Sequence, residues 1–102
     1  MQKEEIVRRT ARKNHFPIGL TGAILNALLI EIRDEVAQGE RITFMDFGTF
    51  NRIWREERMG INPQTKDSLH IPGHYAVSFR PGKEFREKVN EATLNMNHET
   101  HK

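Results

Sequence analysis

One predicted helix, from about Ile18 to Gln38, restricts the possible folds of this chain more than any other segment. Gly39 follows it and is a plausible residue for ending a helix. Apolar residues cover more than half of its circumference, so the helix needs apolar cover on several sides. One stripe consists of Leu25, Leu28, Leu29, Ile32 and Val36, and it is widened by Ala23, Ile24, Ala27 and Ile30.

The rest of the chain adds more apolar surface than it can cover. Besides the helix, four aromatic side chains need to be covered: Phe44, Phe47, Phe50 and Phe79. Residues 52–75 contribute little apolar surface that could cover them. The 102 residues fit one domain, and a body of roughly 70 residues is marginal as a lone hydrophobic core. We therefore expect two chains to share one core through this helix. A monomeric helix–sheet sandwich is the alternative.

The remaining periodicities predict an α+β chain in the order α-α-β-β-β-α. A helix over residues 3–13 ends at Asn14-His15-Phe16-Pro17, because the residue before proline is pushed out of the helical region. The first strand is predicted at 41–44 and the third at 75–79. Between them, a turn at 46–50 leads into the second strand, which continues through 51–55. A last helix over 83–92 has Phe85 inward. We expect residues 1–92 to form a single domain and residues 93–102 to form a flexible tail.

The sequence argues against catalysis, metal binding and membrane insertion. It has no Cys, and its Gly-containing runs do not form a phosphate-cradling loop. His98 and His101 could face each other on a tail helix, but two solvated histidines are the simpler interpretation. The longest apolar run, residues 27–30, is far short of the roughly 18 residues of a membrane span, and the polar N-terminus carries no secretory pattern. We expect a non-enzymatic protein of the cytoplasm, without metal or cofactor.

A long hairpin is predicted between the second and third strands, with its tip at residues 60–65. The Asn62 side chain can cap the turn, and Pro63 is preset for its second position. Two interpretations stay open: an ordinary exposed hairpin, or a ribbon that follows phosphates and presents Ile61 and Pro63 to an apolar surface. Basic residues follow both sides of the hairpin, namely Arg52, Arg55, Arg58, Lys66 and Arg80.

The last helix begins with Pro81-Gly82-Lys83, which places a cation where the helix macrodipole disfavours it. Free backbone N–H groups together with Lys83 favour an anion such as phosphate at this position. Glu84 offers the alternative, because its carboxylate balances the dipole without a ligand. Residues 41–90 hold nine basic and six acidic side chains, so the basic excess of the chain lies in this half.

Three motifs together make the chain resemble the HU and integration host factor family of bacterial histone-like DNA-bending proteins. They are Asp46-Phe47-Gly48-Thr49-Phe50, Asn62-Pro63-Gln64-Thr65 and Phe79-Arg80-Pro81-Gly82-Lys83. The resemblance covers residues 1 to about 91, in the same order of elements. The chain differs from the family pattern at Ile61, where many members have a basic residue, and at Asp46, where Gly is usual.

The resemblance implies an obligate intertwined dimer with a helical body, a three-stranded antiparallel sheet per chain and a long β-ribbon arm at about residues 52–76. The two arms would lie in the minor groove of double-stranded DNA, where a proline at each tip wedges between base pairs and kinks the duplex. Pro63 would be this intercalating residue. The implied DNA-binding residues are Lys3, Arg52, Arg55, Arg58, Ile61, Asn62, Pro63, Gln64, Thr65, Lys66, Arg80, Lys83 and Arg86.

The expected function is therefore DNA bending and organisation of the nucleoid, by a homodimer or by a heterodimer with a paralogous subunit. Base reading should be weak, because the minor groove distinguishes A·T from G·C pairs and little more. A sequence-preferring subunit of the integration host factor type is one alternative. The other, from a different class, is a dimerisation module whose arm grips a protein.

Overall fold

The computed structural model describes residues 1–95 of the chain. Most of the predicted tail lies outside the described residues, as do His98 and His101. The elements are α1 (Lys3–Asn14), α2 (Ile18–Ala37), β1 (Ile42–Phe44), β2 (Gly48–Arg55), β3 (Arg58–Ile61), β4 (Ser68–Ile71), β5 (His74–Pro81) and α3 (Lys83–Asn95). The predicted α+β class is confirmed. Contacts divide the chain into one unit of Met1–Glu35 and a second that begins at Val36, and the single domain expected over residues 1–92 stays a prediction.

The first unit contains α1 and most of α2, joined by the turn that the sequence predicts. His15 adopts the left-handed conformation with a φ of 58°, and the Phe16 N–H donates a hydrogen bond of 2.9 Å to the Ala11 carbonyl. This bond closes the last turn of α1 before the chain reverses. The two helices approach closely at Gly22, because a Cβ there would lie 3.7 Å from Val7 Cγ1.

The C-terminal end of α2 lies one residue before its predicted end. Gly39 has a φ of 102°, and its N–H donates a hydrogen bond of 3.0 Å to the Val36 carbonyl. An L side chain rarely adopts this backbone conformation, so glycine is the residue suited to ending the helix here.

The second unit contains the predicted three-stranded antiparallel sheet, with β2 between β1 and β5. β5 begins one residue earlier and ends two residues later than predicted. Phe50 pairs with Phe79 on one face of the sheet, and Thr49 pairs with Arg80 on the other. The alternation along the strands thus separates an aromatic face from a polar one.

The aromatic face of the sheet forms a cluster of phenylalanine rings with α3 in the second unit. The Phe79 ring centroid lies 4.7 Å from that of Phe50 and 5.9 Å from that of Phe85, and Phe47 lies 5.1 Å from Phe85. Gly48 is buried beside the cluster, where a Cβ would lie 2.5 Å from Phe79 Cε1. The inward position of Phe85 is confirmed, and α3 continues three residues beyond its predicted end at residue 92.

β3 and β4 continue the hairpin beyond the sheet as a two-stranded antiparallel ribbon, which is the predicted arm. Arg55 pairs with His74 at the end of the sheet, and Arg58 pairs with Ile71 at the start of the ribbon. Two residues on each strand separate these pairs. The register is therefore the same in the sheet and in the ribbon, and no bulge shifts it.

The interruption between sheet and ribbon does not follow from the pattern of the sequence. It consists of Glu56 and Glu57 on one strand and Pro72 and Gly73 on the other. Pro72 has no N–H group with which to continue the ladder. A Cβ at Gly73 would lie 2.5 Å from Trp54 Cζ2, so glycine is what lets the indole pack against the backbone here.

α2 leaves much of its apolar surface exposed in the single chain. Leu20, Ile24 and Leu28 are 57%, 52% and 53% exposed, and with Phe16 they line an apolar groove of about 400 Å³ in the first unit. Among residues 1–92, the buried hydrophobic residues are Val7, Ala11 and Val36. Such a small core agrees with the expectation that another chain completes it.

Candidate nucleic-acid interface

The tip of the arm is a hydrogen-bonded loop that holds Pro63 at its end. Asn62 Oδ1 accepts hydrogen bonds from the N–H groups of Gln64 (2.9 Å) and Thr65 (3.4 Å), which is the predicted capping turn. The Asn62 N–H donates a bond of 2.9 Å to the Asp67 carbonyl. The Pro63 ring is exposed, so an apolar group without an N–H stands at the end of the ribbon.

Lys66 completes the tip in a conformation that the sequence does not predict. Its φ is 66°, in the left-handed region that residues other than glycine seldom adopt. Its N–H donates a hydrogen bond of 2.7 Å to the Asn62 carbonyl and so closes the loop around Pro63. The Lys66 side chain is exposed, which places a cation beside the proline.

Arg55 and Arg58 meet at the root of the arm. Arg55 ends β2, Arg58 begins β3, and both side chains are exposed. With Trp54, Glu56 and His74 they line an open cleft of about 560 Å³. Two of the predicted phosphate contacts are therefore brought together, although the Glu56 carboxylate offsets part of their charge.

A second carboxylate also reduces the positive charge of the arm. Glu57 Oε1 lies 3.2 Å from His70 Nε2 on the neighbouring strand. Both side chains are more than half exposed, so this contact contributes little to stability. It does place a carboxylate beside the ribbon.

Arg52, in contrast, is used inside the protein. Its Nη1 donates a hydrogen bond of 3.2 Å to the Ala37 carbonyl at the C-terminal end of α2, where a cation is favourable. Its Cζ lies 4.0 Å from the centroid of the Tyr75 ring. The guanidinium thus connects β2 with the end of α2. Its contact with DNA stays a prediction, and that contact would compete with these internal ones.

The start of α3 presents Lys83 to solvent, as the sequence predicts. The Gly82 N–H donates a hydrogen bond of 2.8 Å to the Phe47 carbonyl, which seats the beginning of the helix against the turn between β1 and β2. The Lys83 side chain is 79% exposed, and its Nζ lies 3.8 Å from Glu87 Oε2. A contact this long and exposed leaves the ammonium group able to bind an anion.

Arg80 and Arg86 flank this helix start in different ways. Arg80 lies exposed on the polar face of the sheet, opposite Thr49. Arg86 Nη1 donates a hydrogen bond of 3.2 Å to the Pro81 carbonyl, which holds the guanidinium near the first turn of α3. We call Arg80, Lys83 and Arg86 the cationic corner, because these three cations lie within seven residues of the chain at the end of β5 and the start of α3.

Asp46 places a negative charge beside the cationic corner. Its φ is 66°, a conformation that Asp tolerates better than most residues other than glycine. A Cβ on Gly82 would lie 3.6 Å from the Asp46 carbonyl carbon, so the two turns are adjacent. Asp46 also lines a shallow pocket with Phe47, Glu84, Phe85 and Lys88. The Asp46 and Glu84 carboxylates make this corner less favourable to phosphate than its three cations alone would be.

Lys3 lies in the first unit, where its Nζ donates a hydrogen bond of 2.7 Å to Asn26 Oδ1. Its contact with DNA stays a prediction. In the part of the chain that the structure describes, His, Asp and Glu side chains do not gather in groups of three that could hold a metal. Over the same residues, no helix has the length and hydropathy needed to cross a bilayer.

Comparison with known proteins supports the resemblance over nearly the whole described chain. The model of a family described as bacterial DNA-binding protein matches residues 1–90. The integration host factor subunit beta of Escherichia fergusonii is 36% identical over 91 residues, which cover 88% of this chain and 97% of that protein. The subunit of the same name from Citrobacter koseri has the same identity and coverage.

Solved structures show the same fold. A structure of Anabaena HU crystallised with DNA has a TM-score of 0.80 and 37% identity, covering 87% of this chain and 97% of that one. A mutant of HU from Thermotoga maritima has a TM-score of 0.64 and 27% identity, covering 87% of this chain and 99% of its own.

Proposed function

The chain belongs to the bacterial DNA-binding protein family of HU and integration host factor, and we propose that it bends duplex DNA by inserting Pro63 from the minor groove. This is a family of non-enzymatic, nucleoid-associated proteins that bind DNA as homodimers or heterodimers. In this proposal the arm and the body of the chain both contact the bent duplex.

The observation that carries the proposal is the construction of the tip. Pro63 is exposed at the end of the ribbon, and the hydrogen bonds of Asn62 close the loop that carries it. A proline can enter a base step without burying an unsatisfied N–H donor. Unstacking one step costs on the order of a few kcal/mol, and a bent duplex offsets this cost by making more backbone contacts.

Cations occur in both places where a bent duplex would need them. On the arm they are Arg55, Arg58 and Lys66, and on the body they form the cationic corner of Arg80, Lys83 and Arg86. Each phosphate that a cation neutralises adds about 0.9 to the steepness of the log–log dependence of affinity on salt. We therefore propose that the corner anchors the duplex while the arms hold it in the bent form.

Two arms require two chains, and the exposed face of α2 provides the surface that a second chain would cover. Leu20, Ile24 and Leu28 line an apolar groove, and water contact with such a surface is unfavourable. A homodimer and a heterodimer with a paralogous subunit both satisfy this requirement. In either form, bending without strong base reading suits organisation of the bacterial nucleoid.

A second candidate is a subunit of the integration host factor type, which would prefer particular sequences. The identity of 36% to integration host factor subunit beta favours it. The two candidates differ in what the bend requires. A general architectural protein bends many duplexes alike, whereas the second would bend selected sites much more than random ones.

The experiment measures the bend by energy transfer between dyes at the ends of a duplex. We expect Pro63→Ala to reduce the bend more than it reduces affinity for intact DNA, because phosphate contacts remain while the wedge is lost. Its effect should shrink on a nicked duplex, where unstacking is already partly done. Pro72→Ala is the matched control, since it changes a proline of the same arm away from the tip, and it should retain the bend.

One result would remove Pro63 from this role. If Pro63→Ala keeps the full bend on intact DNA while Ile61→Ala abolishes it, Ile61 is the wedge. A gel shift across salt concentrations tests the alternative of a protein-gripping arm, because binding to a polyanion shows the steep linear dependence of counterion release.

A further inference from the structure

Both faces of the ribbon carry apolar side chains, but those on one face lie beside a glycine and those on the other are widely exposed. On one face Leu69 pairs with Gly60, and Ile71 Cδ1 would lie 3.5 Å from a Cβ on Gly60, so Ile71 covers the glycine. On the other face lie Met59 and Ile61, whose cross-strand partners are His70 and Ser68. Met59 is 64% exposed and Ile61 is 68% exposed.

The spacing of these two side chains matches the repeat of base pairs along a DNA duplex. Residues two apart on a strand lie about 7 Å apart on one face, which is close to two base-pair rises of about 3.4 Å. Ile61 is also next to the loop that holds Pro63. A ribbon that enters the minor groove with this face inward therefore sets two apolar groups along the floor of the groove, beside the wedge.

The floor of the minor groove differs between base pairs in one group. A·T and T·A pairs present acceptors there, whereas a G·C pair adds the 2-amino donor of guanine. An isoleucine side chain over this donor displaces its water and offers no acceptor in return, and a methionine thioether offers only a weak one. Leaving a buried donor without a partner is unfavourable, so the apolar face disfavours G·C pairs.

We propose that Met59 and Ile61 make the arm select A·T-rich minor grooves by leaving the guanine 2-amino group without a hydrogen-bond partner. The inference rests on the proposed placement of the arm in the minor groove. It extends that proposal, because the selectivity comes from exclusion by two apolar side chains and not from a hydrogen bond to a base. The ligand is thus a duplex whose groove floor has no donor at the steps next to the wedge.

The test compares three duplexes that differ at those steps: A·T, G·C, and inosine·C, in which the 2-amino group is missing. We expect the protein to bind the A·T and inosine·C duplexes alike and the G·C duplex about tenfold more weakly, which corresponds to about 1.4 kcal/mol. Ile61→Gln supplies an acceptor for the 2-amino group without adding charge, so it should remove most of this difference. Leu69→Gln makes a similar change on the opposite face and should keep it.

The variants also distinguish two causes of an A·T preference: the unpaired 2-amino group of guanine and the easier deformation of the duplex. A preference that arises from easier deformation of A·T and inosine·C pairs would survive in Ile61→Gln, and that result would overturn the inference. Equal binding of the G·C and inosine·C duplexes by the unaltered protein would overturn it as well. In both cases a bend that still depends on Pro63 would leave the proposed function standing. Loss of the bend in Pro63→Ala together with discrimination lost only in Ile61→Gln would support both.

Discussion

Replacing Leu28 by alanine should weaken the dimer, whereas the same replacement at Leu69 should not. The two leucines are exposed to similar extents in the single chain, 53% and 46%, but Leu28 lines the apolar groove of α2 and Leu69 lies on the arm. Full burial of a leucine is worth about 1.5–3 kcal/mol, so the half of Leu28 that the second chain covers is worth about 1 kcal/mol. Two copies per dimer make this about 2 kcal/mol, which raises the dimer dissociation constant by about 30-fold. The cavity left behind adds to the effect.

The assay is thermal unfolding at several protein concentrations, combined with sedimentation. At about 0.7 kcal/mol per residue, two chains have an unfolding enthalpy of about 140 kcal/mol. Tenfold dilution of a dimer that unfolds to separate chains should then lower the midpoint by about 3–4 °C. Leu28→Ala should lower the midpoint further at each concentration, by about 5 °C, and should shift the sedimentation profile toward the monomer at higher concentrations.

Two outcomes would refute this reasoning. One is a midpoint that does not change with concentration, together with a monomer mass by sedimentation. The other is an equal loss of stability in Leu28→Ala and Leu69→Ala, because two leucines that both remain half-exposed would respond alike. Either result would mean that the apolar groove of α2 is not covered by another chain.

Three further predictions concern single charges. Lys83→Ala should weaken binding to all duplexes about equally and lower the slope of log affinity against log salt concentration by about two per dimer. Folding should be nearly unchanged, because the contact of Lys83 with Glu87 is exposed. An unchanged slope in gel shifts would contradict this. Asp46→Asn should tighten DNA binding severalfold in equilibrium titrations by removing a carboxylate beside the cationic corner, and weaker binding would show that the carboxylate is needed there. Hydrogen bonds from Arg9 and Arg8 hold the pKa of Glu5 below its ordinary value of 4.5, so its contribution to stability is present above that pH and is lost as the pH falls through the lowered pKa. Glu5→Gln should therefore lower the melting temperature at pH 7, and this difference should shrink as the pH falls below 4.5; a constant difference in circular-dichroism melts would contradict this.

The features that follow from neighbouring residues could be predicted from the sequence. Pro17 and Gly39 restrict the backbone next to them, so the predicted ends of α2 lie within one residue of the observed ends. The Asn62 turn is equally local, since its hydrogen bonds reach two and three residues along the chain. Alternation of apolar residues likewise predicted the three strands of the sheet, and helical periodicity predicted the inward position of Phe85.

Features that depend on distant residues could not be predicted in this way. In the sequence Arg52 is one of several cations on the arm, and only the fold shows that the Ala37 carbonyl takes its guanidinium. The packing of Trp54 against Gly73 is similarly invisible, because the two residues meet only after the strands have paired. The sequence analysis named Ile61 as an apolar group of the arm but not Met59, which the register places on the same face of the ribbon.

The constant register across the interruption limits how the length of the arm can change in evolution or by design. Removing or adding one residue on the strand that leads to β3 would turn over the side chains of β3 beyond that point, so Met59 and Ile61 would move to the face that Gly60 now occupies. Only changes of two residues on both strands together preserve the faces. Each such step alters the reach of Pro63 by about 7 Å, or about two base pairs of duplex. The length of the arm can therefore change only in discrete steps, and relatives with longer or shorter arms should differ from this chain by whole multiples of two residues on each strand.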